Sequence, residues 1–272
     1  MRCPAPARMN APPTWTQHRE HTLSRESFDA LLDNRIPALR LSGFATSEEC
    51  QRFSAAVRAG NMKYYSVARR IGYIGMAQYE YRWNTPKERY FADVPAAQAA
   101  LDAVIARAGW NPVQRLIERL AAATGRSIGP AHEANLGSYF AGIVRSASEG
   151  VALHADYAPF NSPAYVIAQV DAQLGWNFFA EGLASGGMTT LYNAPWSPER
   201  IPGDIPKSYD LPRDLIAGAP SFTYAPTPGD VVIFNTRNPH EIEGGSDDAG
   251  RDRLSIGSFI GRMPDGSLAM WS

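Results

Sequence analysis

Val151-Ala-Leu-His154-Ala-Asp156-Tyr157 carries an imidazole and a carboxylate one residue apart, and Asn238-Pro-His240 offers a second imidazole further along the chain. In an extended strand the period of two puts His154 and Asp156 on one face, roughly 6–7 Å apart at their Cα atoms. That spacing suits neighbouring coordination positions on a single ion. Two neutral imidazoles and a carboxylate occupy one face of a metal and leave up to three positions open. The set suits Fe(II), with Mn(II) and Co(II) able to bind the same donors. Thirteen residues after His240 comes Arg253-Leu-Ser255, again with two side chains on one strand face. A guanidinium fork and a hydroxyl there would hold the far carboxylate of a dicarboxylic co-substrate, and a lysine would bring the charge without the fork. Taken singly each feature has an ordinary explanation: a surface His–Asp pair, a histidine in a turn, a surface cation. The joint arrangement carries the reading.

The elements around these residues point to an α+β protein. Residues 1–22 are rich in Pro, Ala, Thr and Arg without a period and read as a flexible leader. His18 and His21 fall in it and receive no role. Ile36 to Phe44 alternates as a strand. Thr46-Ser-Glu-Glu49 reads as a capping box opening a helix to about Ala59. Residues 61–94 are loop-rich and aromatic, and the part from Tyr64 to Phe91 is the expected lid. Leu101, Val104, Ile105 and Ala108 share one helical face, as do Val113, Leu116, Ile117 and Leu120. After Gly129-Pro130 short apolar runs dominate: 136–144, 151–156, 165–171, 189–192, 221–224, 230–235 and 254–260. Helices followed by many short strands predict a jelly-roll core over 131–272, buttressed by helices and a lid over 23–130, in one domain spanning 23–272.

Composition narrows the function classes. The chain has 272 residues, 44% of them hydrophobic and 11% aromatic, enough for a large core and a lined pocket. Its formal net charge of −1 offers no electrostatic footprint for nucleic acid or an anionic membrane. No apolar run approaches the roughly 20 residues of a membrane-spanning helix, and the first residues have no apolar signal core. Cys3 and Cys50 suggest neither a disulfide framework nor a cysteine-rich zinc site, so a reducing cytoplasm is the expected compartment. A monomer and a homodimer are both compatible with the sequence.

Several further runs carry a resemblance to a known family. They are Gly186-Gly187 leading to Thr189-Thr-Leu-Tyr192, then Tyr224-Ala-Pro-Thr-Pro-Gly229-Asp230-Val-Val-Ile-Phe-Asn235, then His240, then Arg253-Leu-Ser-Ile-Gly-Ser-Phe259, and the closing Trp271-Ser272. With the His-x-Asp run they resemble the Fe(II)/2-oxoglutarate-dependent oxygenases. The branch they look most like holds the carrier-independent halogenases of indole alkaloids and the free-standing N-acyl amino-acid hydroxylases. The likeness runs from about residue 36 to the end. It implies a double-stranded β-helix, Fe(II) on His154, Asp156 and His240, and 2-oxoglutarate on Arg253 and Ser255, with Thr190 and Tyr192 beside it. It also implies consumption of O2 and release of succinate and CO2. In the halogenases the carboxylate position is Gly or Ala, which admits chloride. Here it is Asp156, so hydroxylation of an unactivated C–H is the expected outcome. Desaturation, epimerisation or cyclisation from the same site stays open, as does a non-catalytic jelly roll that only binds a small molecule, although the latter has no need of Arg253-x-Ser255.

For the substrate, the resemblance implies a free small molecule such as an amino acid or its N-acyl derivative. Arg82, between Tyr79 and Trp83, could clamp a carboxylate or merely stack and pair with Glu80. Tyr157 and Phe160 are expected pocket walls. Arg145 serves either substrate or an internal ion pair. His132 reads as a loop hydrogen-bonding residue.

Overall fold

The computed structural model describes residues 14–65, 71–82, 85–196, 210–246 and 252–272. The first half supplies β1 (Glu20–His21), α1 (Arg25–Leu32), β2 (Ala38–Leu41), α2 (Ser47–Arg58), β3 (Lys63–Tyr64) and β4 (Gly72–Ile74). Next come α3 (Lys87–Ala108), α4 (Pro112–Thr124) and β5 (Ile128–Pro130). The rest is mostly strand: β6 (Ile143–Ala147), β7 (Val151–His154), β8 (Ala172–Glu181), β9 (Thr189–Tyr192) and β10 (Ser221–Tyr224). β11 (Val231–Asn235), β12 (His240–Ile242), β13 (Arg253–Arg262) and β14 (Leu268–Trp271) complete them.

A ten-stranded sheet runs β1-β2-β11-β8-β13-β6-β4-β3, with β14 added beside β13 and β5 beside β14. A four-stranded sheet runs β10-β9-β12-β7. The chain passes between them in the turn after β11, which leaves the large sheet at Asn235 and enters the small one at His240. The two central strands of the large sheet sort their side chains by parity. Leu174, Trp176, Phe178 and Ala180 of β8, and Leu254, Ile256 and Ile260 of β13, join the main core. Gly175, Asn177 and Phe179, with Arg253, Ser255 and Phe259, line a cavity. Phe178 locks the helices on: its ring lies 5.7 Å from Phe44, 6.0 Å from Phe53 and 5.3 Å from Trp110. Buried aromatic contacts of this kind contribute about 0.5–1.5 kcal/mol each beyond their area.

The capping box at α2 is present in both directions. Thr46 Oγ1 accepts from the Glu49 amide at 3.2 Å, and Glu49 Oε2 accepts from the Thr46 amide at 2.9 Å. Arg115 of α4 then donates twice to the Glu49 carboxylate, at 2.6 and 3.1 Å, joining two helices. The Arg115 guanidinium, ahead of the Thr46 contacts, holds the Glu49 carboxyl at about 2 instead of 4.5. Glu49→Ala is expected to destabilise the fold by about 1–2 kcal/mol, mainly through the lost cap. A depressed carboxyl stabilises the native state above its unfolded pKa. The deficit of the variant is therefore full above pH 4.5 and shrinks as pH falls toward 2, which urea unfolding across that window measures.

Several expectations are corrected. Residues 14–22 of the expected leader belong to the fold. Trp15 is buried with its indole nitrogen donating to Asn34 Oδ1 at 3.2 Å, and β1 pairs in parallel with β2. Residues 1–13, with Cys3, lie outside the described residues. The division at 130/131 does not separate helices from sheet, because the first half contributes five strands to the large sheet. The run 165–171 is a 3-10 turn over Val166–Gln169, where the Glu133 carboxylate accepts from the Val166 amide at 2.9 Å. The ten-residue β8 starts only at Ala172. The run 136–144 gives a two-residue strand at Gly137–Ser138, and the longer strand is shifted to β6. α3 begins at Lys87, so Tyr90 and Phe91 are core rather than lid.

Candidate functional site

β7 and β12 pair antiparallel with His154 directly opposite His240, and the two rings stand 4.1 Å apart at their centroids. β7 ends at His154, so Asp156 lies just beyond regular strand. The turn after β11 holds it: the Asp156 amide donates to Thr236 O at 2.9 Å, and Thr236 Oγ1 donates to Asp156 O at 3.0 Å. Ligand atoms of His154, Asp156 and His240 all fall within 4.8 Å of one another.

The donor chemistry fits a metal ion. His154 Nδ1 lies 2.7 Å from Ala152 O, and His240 Nδ1 lies 2.9 Å from Asn238 O. A carbonyl only accepts, so each Nδ1 carries the proton and each Nε2 keeps its lone pair. Both Nε2 atoms are 3.9 Å from Asp156 Oδ2, too long for hydrogen bonds but short enough for one ion with bonds of about 2.0–2.2 Å to join them. Burial, then the neighbouring His154, keeps the His240 imidazole well below its ordinary pKa. Phe234 closes the far side of His240, ring to ring at 4.9 Å.

These residues form one wall of a cavity of about 600 Å³ between the sheets. Arg253 reaches it from β13 and is 8% exposed. Its Nη1 donates to Gly187 O at 3.2 Å, and among the described residues no carboxylate pairs with it. Gly186 and Gly187 aim that carbonyl with φ of 76° and 73°, a left-handed pair that side chains rarely adopt. Burial, then the nearby Arg145 charge, pulls the Arg253 pKa down, against the Tyr224 hydroxyl, which raises it. The Tyr224 hydroxyl is pushed up to about 12 by burial, against hydrogen bonding with Thr189 and the Arg253 charge. Ser255 lines the same cavity.

Not all expected residues arrive there. Thr190 and Tyr192 have the wrong parity: Thr190 Oγ1 meets Thr223 Oγ1 at 2.9 Å, and the Tyr192 hydroxyl donates to Glu241 at 2.5 Å. Their neighbour Thr189 faces the cavity, paired in register with Tyr224. Arg82 lies over the Tyr79 ring at 3.0 Å and donates to Tyr79 O, while Tyr79 and Glu80 line the cavity. Trp83 lies outside the described residues. Phe160 packs edge-on against Trp196 at 4.8 Å. Tyr157 sits under the Arg237 guanidinium beside a smaller hollow. Arg145 does line the main cavity, and His132 is exposed. Thr189, Tyr224 and Glu80 were missed. Both Thr189 and Tyr224 lie inside quoted runs, but only strand register shows which side chains turn inward.

Comparison with known proteins fits this architecture. The chain is 33% identical over 199 residues to the leucinostatins biosynthesis cluster protein S of Purpureocillium lilacinum, covering 71% of this chain and 80% of that protein. It is 27% identical over 179 residues to the L-gamma-glutamyl-L-propargylglycine hydroxylase of Streptantibioticus cattleyicolor, spanning 65% of that hydroxylase. A crystal structure of an N-substituted L-amino acid dioxygenase from Burkholderia ambifaria superposes with a TM-score of 0.60, at 16% identity over 91% of each chain. Its complex with alpha-KG gives 0.58. No family model matches the chain. The chain belongs to the Fe(II)/2-oxoglutarate-dependent oxygenases. It is a non-haem Fe(II) dioxygenase that uses 2-oxoglutarate and O2. Among the described residues no helix is long and apolar enough to cross a membrane.

Proposed function

We propose that the protein hydroxylates an unactivated C–H of a free amino acid or amino-acid derivative, releasing succinate and CO2. His154, Asp156 and His240 hold the iron in this reading, and Arg253 with Ser255 holds the far carboxylate of 2-oxoglutarate. Thr189 and Tyr224 complete that end. The observation that carries it is the shared cavity: a two-imidazole, one-carboxylate cluster and a buried guanidinium with no acidic partner among the described residues line the same space of about 600 Å³. The relative acting on L-gamma-glutamyl-L-propargylglycine supports the substrate class. The two facing sheets read as a double-stranded β-helix with the N-terminal helices as its buttress. We place the enzyme in the cytoplasm on its sparse cysteines, as a monomer or homodimer, and its near-neutral charge speaks against nucleic-acid partners.

When bound, iron would activate O2 as the oxidant, and 2-oxoglutarate would supply two of the electrons by oxidative decarboxylation to succinate and CO2. The chain's own residues set orientation and access. The backbone carbonyls behind both imidazoles fix the rings, and Thr236 fixes the backbone that carries Asp156. Asp156 fills the carboxylate position that a halide would otherwise need. Phe234 packs against the His240 ring, and Ile143, Val151, Ile242 and Phe259 give the substrate's hydrocarbon part an apolar wall.

Anaerobic titration of Fe(II) into the protein with 2-oxoglutarate tests the assignment. The weak visible charge-transfer band of the chelate is expected in the wild type and absent in His240→Ala. Iron binding without that band in the wild type removes the 2-oxoglutarate assignment.

A further inference from the structure

Charge on the cavity wall remains after the metal and co-substrate are counted. Two positive charges on iron and one on Arg253 balance two negative charges on 2-oxoglutarate and one on Asp156. Among the described residues Arg145 and Glu80 are left. Both line the cavity. Arg145 projects from β6 between Tyr73 on one neighbouring strand and Ser255 on the other. Glu80 comes from the 3-10 turn Gln78–Tyr81. Among the described residues neither side chain makes a hydrogen bond or an ion pair, with each other or with anything else. They still sense one another: burial raises the Glu80 carboxyl, and the Arg145 charge is the first influence opposing that rise, ahead of Lys63. Arg145 is half-buried and Glu80 stands exposed at the edge of the cavity, so the two opposite charges, held apart, gain little from each other. A ligand that spans them restores both partners. Its carboxylate would meet the Arg145 fork, its ammonium would meet Glu80, and Tyr65, Ile71 and Val151 would take the hydrocarbon between.

We infer that the substrate is a zwitterion, an amino acid or small peptide whose free amine is held by Glu80 and whose carboxylate is held by Arg145. This rests on the iron and 2-oxoglutarate reading above and narrows it. An N-acylated amine is uncharged and leaves Glu80 without its counter-ion, so acylated amino acids are the poorer class. Arg145 is also distinguished from Arg253: one guanidinium serves the substrate and the other the co-substrate.

The test uses L-leucine and gamma-L-glutamyl-L-leucine, each with its N-acetyl and C-terminal amide forms, as probes of 2-oxoglutarate turnover by succinate release. The free forms are expected to stimulate release, and acetylation or amidation is expected to weaken the apparent affinity roughly ten- to hundredfold, as loss of one charged hydrogen-bond partner does. Arg145→Gln should raise the KM for the free probe and erase its advantage over the amide, with the loss absent from the 2-oxoglutarate Kd in anaerobic titration. Glu80→Gln should erase the advantage of the free amine over the N-acetyl form, a change of preference that a merely structural role would not produce. N-acetyl probes that match the free forms in the wild type would overturn the inference. So would an Arg145→Gln variant that loses 2-oxoglutarate affinity and keeps its probe KM. If no free probe stimulates release while the visible band forms, the zwitterion assignment falls and the oxygenase reading stands. If the band itself fails to form, the underlying reading falls with it.

Discussion

Asp156→Ala is expected to abolish hydroxylation. Changes to groups behind a metal ligand cost roughly 10- to 100-fold in affinity or activity, and removal of the ligand should exceed that. The structure makes the loss specific to the metal. Asp156 keeps its main-chain bonds to Thr236 whatever its side chain, and only its carboxylate reaches toward the two Nε2 atoms. Iron affinity should therefore fall, which metal analysis of the anaerobically loaded variant measures directly. The pinned backbone also predicts that Asp156→Glu fails to substitute. One more methylene moves the oxygens out of register with imidazoles whose orientation is already fixed by Ala152 O and Asn238 O. Asp156→Gly opens a position that chloride could fill, yet halogenation is not expected from it alone, because the substrate's placement is unchanged. Full hydroxylase activity in Asp156→Ala would remove this residue from the metal site.

How much of this was legible in the chain follows from the range of the interactions involved. The capping box of α2 could be read at Thr46 and Glu49 because both its hydrogen bonds close within four residues. His154, Asp156 and His240 could be read together because their donor types are rare in combination, even though Asp156 lies past the end of β7 rather than in it. β8 escaped notice because it is buried on both faces and carries Gly175 and Asn177, so it shows no alternation. The choice between Thr189 and Thr190 was invisible for a different reason. A one-residue slip in register exchanges every inward and outward side chain, and only the pairing of β9 with β10 and β12 sets it. Arg145 and Glu80 come from segments far apart in sequence, and their common cavity exists only once β4 and β6 have paired.

Arg253→Ala is expected to raise the 2-oxoglutarate requirement sharply. Deleting one member of a buried, hydrogen-bonded charge pair costs about 2–5 kcal/mol, roughly 30-fold to several thousandfold in Kd. The same guanidinium should behave differently without its ligand. It is buried, its hydrogen bond among the described residues goes to Gly187 O, and burial works against its charge. A desolvated cation of this kind opposes folding rather than supporting it. Arg253→Met, which fills more of the space than alanine, should therefore leave the thermal stability of the ligand-free protein unchanged or raised. The stabilisation that saturating 2-oxoglutarate gives the wild type should disappear, since ligand-linked stabilisation depends on the ratio of concentration to Kd. Arg253→Lys keeps the charge but not the paired donors, so it should recover only part of the affinity. Thermal unfolding with and without 2-oxoglutarate reads both effects in one experiment. A ligand-free Arg253→Met protein that is strongly destabilised, yet binds 2-oxoglutarate normally, would show that Arg253 supports the sheet and that the co-substrate's far carboxylate is held elsewhere.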